Sequence, residues 1–117
     1  MDSLIPVLNL LAIVWMHFVA DFLLQSDRMA LNKSKSNTWL AAHCSVYGAC
    51  MLWVFAGWRF ALVAGILHFA VDWATSRGTS LLWARNERHW FFALIGLDQA
   101  IHMTLLLVCW ICLATQN

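Results

Sequence analysis

The segment from His17 to Asp27, HFVADFLLQSD, interrupts an apolar run with ionisable side chains. Residues 5–16, which precede it, are apolar apart from Asn9. His17, Asp21 and Gln25 follow one another at intervals of four, so they lie along one face of a helix. An ionisable group inside an apolar helix is costly in lipid unless it faces another polar group or water. The segment therefore predicts a membrane helix whose one polar face is turned away from lipid.

The composition also indicates that lipid surrounds the protein. Hydrophobic residues make up 62% of the 117 residues and charged residues 11%, against about half and about a quarter in soluble domains. A soluble domain of this length could not bury so much apolar surface, so we expect lipid around the protein. The net charge of +1 gives no basis for a nucleic-acid surface. The length corresponds to a single domain, residues 1–117.

Four apolar runs are long enough to cross a bilayer, which takes about 20 helical residues. They cover about residues 4–24, 38–56, 58–76 and 90–114. The predicted fold is therefore all-α, an integral membrane four-helix bundle. The first residues lack the basic segment of a cleaved signal peptide, so we expect the first run to remain in the protein. The cysteines all fall within these runs and are interpreted as small buried hydrophobic residues: Cys44, Cys50, Cys109 and Cys112.

Basic residues divide unequally between the two sides of the predicted bundle. The connectors at 25–37 and 77–89 carry six of the seven lysines and arginines, and Arg59 alone lies on the other side. The positive-inside rule places both of these connectors in the cytoplasm. Both termini are then predicted on the outer side of the membrane.

Small residues at intervals of four form two ridges, and such ridges typically let membrane helices approach closely. One ridge is Ala41, Ser45 and Ala49 in the second span, and the other is Ala61 and Gly65 in the third. We expect both ridges to be helix-packing surfaces.

The His/Asp spacing of the first span recurs. His68 and Asp72 are four residues apart, Asp98 and His102 repeat the spacing in reverse order, and His43 stands alone in the second span. At 1.5 Å per residue, all seven ionisable groups fall about 5 to 18 Å from the cytoplasmic end of their spans. Helices that alternate in direction could have scattered these groups, so the common depth predicts one shared cluster. The simplest alternative is a set of structural hydrogen bonds, worth about 1 kcal/mol each.

Three segments occur in order along the chain: HFVADFLLQSDRMALNKSKS, HFAVDWATSR and GLDQAIH. This combination resembles the small membrane-protein family catalogued as domain of unknown function 3307, found in bacteria and their phages. The resemblance covers His17 to His102, nearly the whole chain. It implies a bacterial inner-membrane location, and transport of 7-deazaguanine precursors such as 7-cyano-7-deazaguanine. The residues that match the family pattern are His17, Asp21, Gln25, His68, Asp72, Arg77, Asp98, Gln99 and His102.

The first functional hypothesis is a small-solute transporter, since intramembrane ionisable groups commonly line transport paths. A carboxylate can accept hydrogen bonds from the N–H edge of a purine-like ring, and we expect Trp15 and Trp73 to stack on it. Four helices make a narrow path, so a homodimer is expected. The predicted solute-binding residues are His17, Asp21, Gln25, His43, His68, Asp72, Arg77, Asp98, Gln99 and His102.

Two alternatives stay open. The first is an intramembrane metal-dependent hydrolase acting on a lipid-linked or phosphorylated substrate. It would bind zinc or manganese through His17, Asp21, His68, Asp72, Asp98 and His102. Arg77, at the mouth of the cluster, would then suit a phosphate. The second alternative is a structural membrane subunit whose cluster only joins the helices. The sequence assigns no catalytic residue, and the transporter hypothesis requires no cofactor.

Overall fold

The computed structural model describes residues 4–54 and 56–113, and the described chain is helical with no strand. The prediction of an all-α fold is confirmed. The α-helices are α1 (Leu4–Phe18), α2 (Asp27–Asn32), α3 (Asn37–Met51), α4 (Trp58–Ala84) and α5 (Arg88–Leu113). One π-helical turn, Val19–Leu23, continues α1, and one 3₁₀ turn, Leu52–Val54, continues α3. The predicted positions of both termini concern residues 1–3 and 114–117, which lie outside the described residues.

The turns between helices follow from local residue chemistry. The short helix α2 begins after Ser26, whose hydroxyl accepts a hydrogen bond from the Met29 amide at 3.2 Å and caps the helix. Before α4, Gly57 has a φ of 98°, which glycine adopts without steric cost. Helix α4 extends beyond the predicted span, through residues 77–84 of the predicted connector. Just after its end, Asn86 has a φ of 61°. Asparagine tolerates this left-handed conformation better than most residues.

Helices α3 and α4 approach each other closely at two glycines. A Cβ on Gly65 would lie 3.5 Å from the Gly48 Cα, and a Cβ on Gly48 would lie 3.8 Å from the Gly65 Cα. The predicted ridge at Ala61 and Gly65 therefore packs on α3, as small residues allow. The other predicted ridge, Ala41, Ser45 and Ala49, is exposed.

The distribution of polarity is inverted relative to a soluble protein. Large apolar side chains cover the outside of the helices, including Trp15, Leu31 and Trp53 at 66%, 70% and 71% exposure, whereas all the predicted His/Asp groups are buried. Such continuous apolar exposure is characteristic of a surface that contacts another apolar phase. Two helical segments, Ile5–Leu23 and Arg88–Leu113, are long and apolar enough to cross a membrane.

The buried apolar residues concentrate toward one end of the bundle. They include Ile13, Tyr47, Met51, Phe60 and Leu106, which pack together between α1, α3, α4 and α5. The ionisable groups occupy the other part of the interior, toward the α1–α3 and α4–α5 connections. This division leaves the polar cluster closed on one side by a packed apolar core.

Candidate functional site

Seven ionisable side chains from four helical segments meet in the interior, each at most 8% exposed. The structure therefore brings together every His and Asp that the common depth predicted. The seven are His17, Asp21, His43, His68, Asp72, Asp98 and His102. A cluster of this kind stays buried only if its members face one another or a cation.

The π-helical turn after α1 carries Asp21 at its centre. The turn is closed by the Leu24 amide, which donates to the Val19 carbonyl at 2.8 Å across five residues. The Asp21 carboxylate reaches α3 and α4: its Oδ1 lies 3.1 Å from His43 Nε2 and 3.4 Å from His68 Nε2. Single π turns occur often at functional sites, and this one supplies the carboxylate that joins three helices.

Two histidine nitrogens and two carboxylate oxygens form the tightest part of the cluster. His43 Nε2 and His68 Nε2 are 3.0 Å apart, and both also face Asp21 Oδ1. On the other side, Asp72 Oδ2 lies 3.4 Å from His43 Nε2 and 3.8 Å from His68 Nε2. Each of the two histidine nitrogens therefore lies within 4 Å of one carboxylate oxygen from the π turn and one from α4.

Asp72 has a further partner, Lys33, whose Nζ donates to Asp72 Oδ2 at 2.9 Å. Lys33 follows α2 in the turn that leads to α3. This turn is held to α4 by a hydrogen bond from Ser80 to Ser34 at 2.8 Å. The α2–α3 segment thus covers the cluster and contributes a cation to it.

The α5 side chains extend the cluster. Asp98 Oδ1 accepts a hydrogen bond from the Thr75 hydroxyl at 2.6 Å and lies 3.1 Å from His102 Nε2. Gln99 joins three members: its amide nitrogen donates to Asp98 at 3.1 Å and to Asp21 at 3.3 Å, and its oxygen is 2.8 Å from His17 Nε2. Gln99 therefore holds α1 and α5 in register.

Ring stacking orients the histidines. The His68 ring lies between the Tyr47 ring, 3.8 Å away by centroid, and the His102 ring, 4.1 Å away. The Tyr47 hydroxyl shares a hydrogen bond of 2.6 Å with His17 Nδ1. Among the described residues, Nδ1 of His43 and Nδ1 of His68 are buried without a hydrogen-bond partner. Packing, rather than hydrogen bonding at Nδ1, therefore positions these two rings.

A cavity of about 290 Å³ adjoins the cluster. Asp21, Asp72 and Asp98 form its inner wall, and Lys33 lines it from the α2–α3 turn. Its other lining residues are Phe22, Gln25, Ala30, Thr75, Ser76, Thr79, Phe91, Ile95 and Gln99. Two buried atoms of this lining, Gln25 Oε1 and Ser76 Oγ, have no hydrogen-bond partner in the described chain. The volume is near the lower limit for small-molecule sites.

Three of the residues considered from the sequence lie elsewhere. The Arg77 guanidinium lies 4.5 Å from the Trp73 ring centroid and donates to the Trp73 carbonyl and to Asn37 Oδ1. Trp15 is 66% exposed and packs edge-on against Phe18. Arg77, Trp73 and Trp15 therefore do not line the cavity, and Phe22 and Phe91 provide its aromatic surface instead.

Three groups of side chains within the described chain place donor atoms close enough to hold a metal ion. They are Asp21, His68 and His102; His43, His68 and Asp72; and Asp72, Asp98 and His102. His43, absent from the metal set inferred from the sequence, belongs to one of these groups. His17, included in that set, has both ring nitrogens engaged by Tyr47 and Gln99.

Sequence reasoning missed several residues that contact the cluster or line the cavity, among them Tyr47, Ser76, Thr75 and Lys33. Tyr47 follows His43 by four residues and Ser76 follows Asp72 by four. Each therefore shares a helix face with a cluster residue, and helical periodicity could have identified both. Thr75 lies beside Ser76, but its bond to Asp98 depends on how α4 packs on α5. In the sequence analysis Lys33 counts only as one of the basic residues that place its connector in the cytoplasm.

The comparisons with known proteins identify one family. The family model described as "Protein of unknown function (DUF3307)" matches residues 8–117, which include every member of the cluster. No curated protein and no solved structure matches the chain.

Proposed function

Because the chain belongs to the DUF3307 family, whose description names no activity, we propose a function from the site itself: a membrane-embedded, metal-dependent hydrolase. Its ion is bound by His43, His68 and Asp21, a set that combines members of the first two groups given above and whose donor atoms lie 3.0 to 3.4 Å apart. Its substrate enters the adjoining cavity. The observation that carries the proposal is the convergence of two histidine nitrogens and the Asp21 carboxylate from three helical segments, with Asp21 also lining that cavity.

In this proposal the protein crosses a bacterial inner membrane four times, through α1 with its π turn, α3, α4 and α5. The inverted polarity supports this arrangement: apolar side chains face outward along all four segments and ionisable ones face inward. Helices α3 and α4 carry several of the buried polar residues, so their average hydropathy understates the apolarity of their outer surfaces. The basic connectors lie in the cytoplasm, with α2 at the membrane surface.

The spacing of the donor atoms supports a bound metal ion. Metal–ligand bonds of 2.0 to 2.2 Å in a tetrahedral site put neighbouring donor atoms about 3.3 to 3.6 Å apart. The distances among His43 Nε2, His68 Nε2 and Asp21 Oδ1 are 3.0, 3.1 and 3.4 Å. Small movements of these side chains would therefore complete the site.

The charge of the cluster also supports a cation. Asp21, Asp72 and Asp98 are buried, and Lys33 is the lysine that reaches them. Buried carboxylates without compensating charge cost several kcal/mol each. One divalent ion together with Lys33 would balance the three negative charges.

The ligand set leaves room for chemistry. Two histidines and one carboxylate hold zinc in hydrolases with a position open to water, and a bound ion there would lower the pKa of water and polarise the scissile group. In this chain His43, His68 and Asp21 would hold the ion, and Gln99 would keep Asp21 in place. Asp72, held by Lys33, would lie beside the ion on the cavity side, with its Oδ2 3.4 Å from His43 Nε2.

The far side of the cluster favours hydrolysis over passage through the bundle. Beyond His68 and His102 the space is only about 10 Å³, closed by Tyr47, Leu106 and Cys109. A substrate can therefore reach the metal ligands from the cavity without a path to the other end of the bundle.

A solute transporter is the second candidate. The cavity lining of amide and carboxylate groups would suit the N–H edge of a small heterocycle such as 7-cyano-7-deazaguanine. Transport would require the packed residues beyond His68 and His102, which include Tyr47 and Leu106, to open. Cells that cannot make this precursor, supplied with it externally, would gain queuosine in their transfer RNA only if the protein imports it.

Metal analysis of protein purified in detergent without chelators tests the hydrolase proposal. We expect at least about one equivalent of zinc, manganese or iron per chain, and a large loss in His43→Asn and His68→Asn. His89→Asn is the matched control because His89 is exposed and outside the cluster. Less than about a tenth of an equivalent in the wild-type protein, after incubation with each metal, would overturn the proposal.

A further inference from the structure

The α5 side of the cluster contains donor atoms that the first ion does not use. His102 Nε2 lies 3.1 Å from Asp98 Oδ1 and 4.0 Å from Asp72 Oδ1. These three side chains form one of the groups whose ligand atoms lie within 4.8 Å of one another. The two oxygens of Asp72 thus face in different directions, Oδ2 toward His43 and Oδ1 toward His102.

We infer that Asp72, Asp98 and His102 bind a second divalent cation, so that the site is a two-metal centre bridged by the Asp72 carboxylate. This inference rests on the proposed function, because it adds a second ion beside the first. Bridged metal pairs about 3.5 to 4 Å apart occur in phosphatases, nucleases and aminopeptidases.

An unsatisfied nitrogen supports the second site independently of the acidic residues. His102 is 2% exposed, and its Nε2 faces Asp98 Oδ1 at 3.1 Å and Asp72 Oδ1 at 4.0 Å without a well-directed hydrogen bond among the described residues. A buried polar atom without a partner is costly. A cation between His102 Nε2 and the two carboxylates would use this nitrogen as a ligand with good geometry.

The residues around this position are suited to hold it. Asp98 is fixed by hydrogen bonds from Thr75 and Gln99, and supporting bonds of this kind commonly orient metal-binding carboxylates. The His102 ring is stacked on His68, a ligand of the first ion. The two positions are therefore adjacent and share both a bridging residue and a packed pair of rings.

The charge of a two-metal centre identifies the class of substrate. When one divalent ion is bound, its two positive charges and that of Lys33 balance the three carboxylates. A second divalent ion then adds two uncompensated positive charges in a buried site. A dianionic phosphate group would balance them, whereas a neutral amide would not. The centre therefore takes a phosphate ester, either a lipid headgroup or a water-soluble phosphomonoester.

The number of ions per chain tests the second site. Wild-type protein and variants are loaded with manganese in detergent, and bound metal is measured by elemental analysis and electron paramagnetic resonance. His102→Phe removes the nitrogen and keeps a ring on His68; Asp98→Asn removes the charge at nearly constant shape. We expect about two ions with an exchange-coupled spectrum in the wild type and in the His89→Asn control, and about one uncoupled ion in both variants.

The outcomes separate this inference from the proposed function. About one uncoupled ion in the wild type, unchanged in His102→Phe and Asp98→Asn, would overturn the second site and leave the first intact. An absence of bound metal would overturn both. Phosphate release is then measured from a water-soluble phosphomonoester and from phosphatidic acid in the same detergent. Release from either source supports the substrate class and identifies its origin, whereas two bound ions without release from either would overturn the phosphate-ester assignment.

Discussion

The ion pair between Lys33 and Asp72 allows a quantitative prediction. Lys33 Nζ lies 2.9 Å from Asp72 Oδ2, with the two side chains 16% and 3% exposed. At an effective dielectric constant of about 20, the attraction at this distance is about 6 kcal/mol. Much of it offsets the desolvation of the two charges, and removal of one partner from a buried pair typically costs about 3 to 5 kcal/mol. Because Lys33 keeps some contact with solvent, we expect Lys33→Met to cost about 3 kcal/mol in metal-free protein.

The assay is reversible unfolding of metal-free protein in mixed micelles with increasing sodium dodecyl sulfate, followed by circular dichroism. Lys35→Met is the matched control, since Lys35 is an exposed lysine in the same turn, and we expect it to change the free energy of unfolding by less than about 0.5 kcal/mol. Added manganese should stabilise Lys33→Met more than the wild type, because the ion supplies the missing positive charge. Equal unfolding free energies for Lys33→Met and Lys35→Met would refute the reasoning.

Three further variants test separate contacts. Gly65→Leu should destabilise the protein by about 1 to 3 kcal/mol, because the leucine side chain would force α4 away from α3. Gly65→Ala should be tolerated, and equal unfolding curves for the two variants would contradict this packing. Tyr47→Phe should cost about 1 kcal/mol through loss of the bond to His17, and a thermal melt indistinguishable from wild type would count against that bond. Thr75→Val should weaken the second ion about 10- to 100-fold by releasing Asp98, and calorimetric manganese titration should show the first ion unaffected.

The convergence of the cluster could be predicted because it depends on two properties that a sequence carries directly. The spacing of four residues puts His68 and Asp72 on one helix face, and the position of each pair within its apolar run determines its depth. An ionisable face in lipid must then turn toward the interior. Neither property depends on how the helices cross, and the structure brings the groups together accordingly.

The remaining contacts depend on details that the sequence does not carry. The π turn at Val19–Leu23 alters the direction of Asp21, and no residue type in that segment identifies it. The sequence predicts Arg77 at the mouth of the cluster, but its long side chain packs on Trp73 and donates hydrogen bonds to the Trp73 carbonyl and to Asn37 instead. Lys33 reaches Asp72 because α2 forms and its turn is attached to α4, which is a tertiary effect.

The π turn also makes the alignment of the α2–α3 segment with the cluster depend on a single residue. A π turn contains one residue more than an α turn, so deletion of Phe22 would let the helix close with regular bonds while His17 and Asp21 kept their positions. Everything after the deletion would rotate by about 100° around the helix axis and move by about 1.5 Å along it. Lys33 would lose Asp72, although neither of these two residues is itself changed. Insertions or deletions within Val19–Leu23 would therefore shift the α2–α3 segment over the cavity while leaving every ionisable residue of the cluster in the sequence.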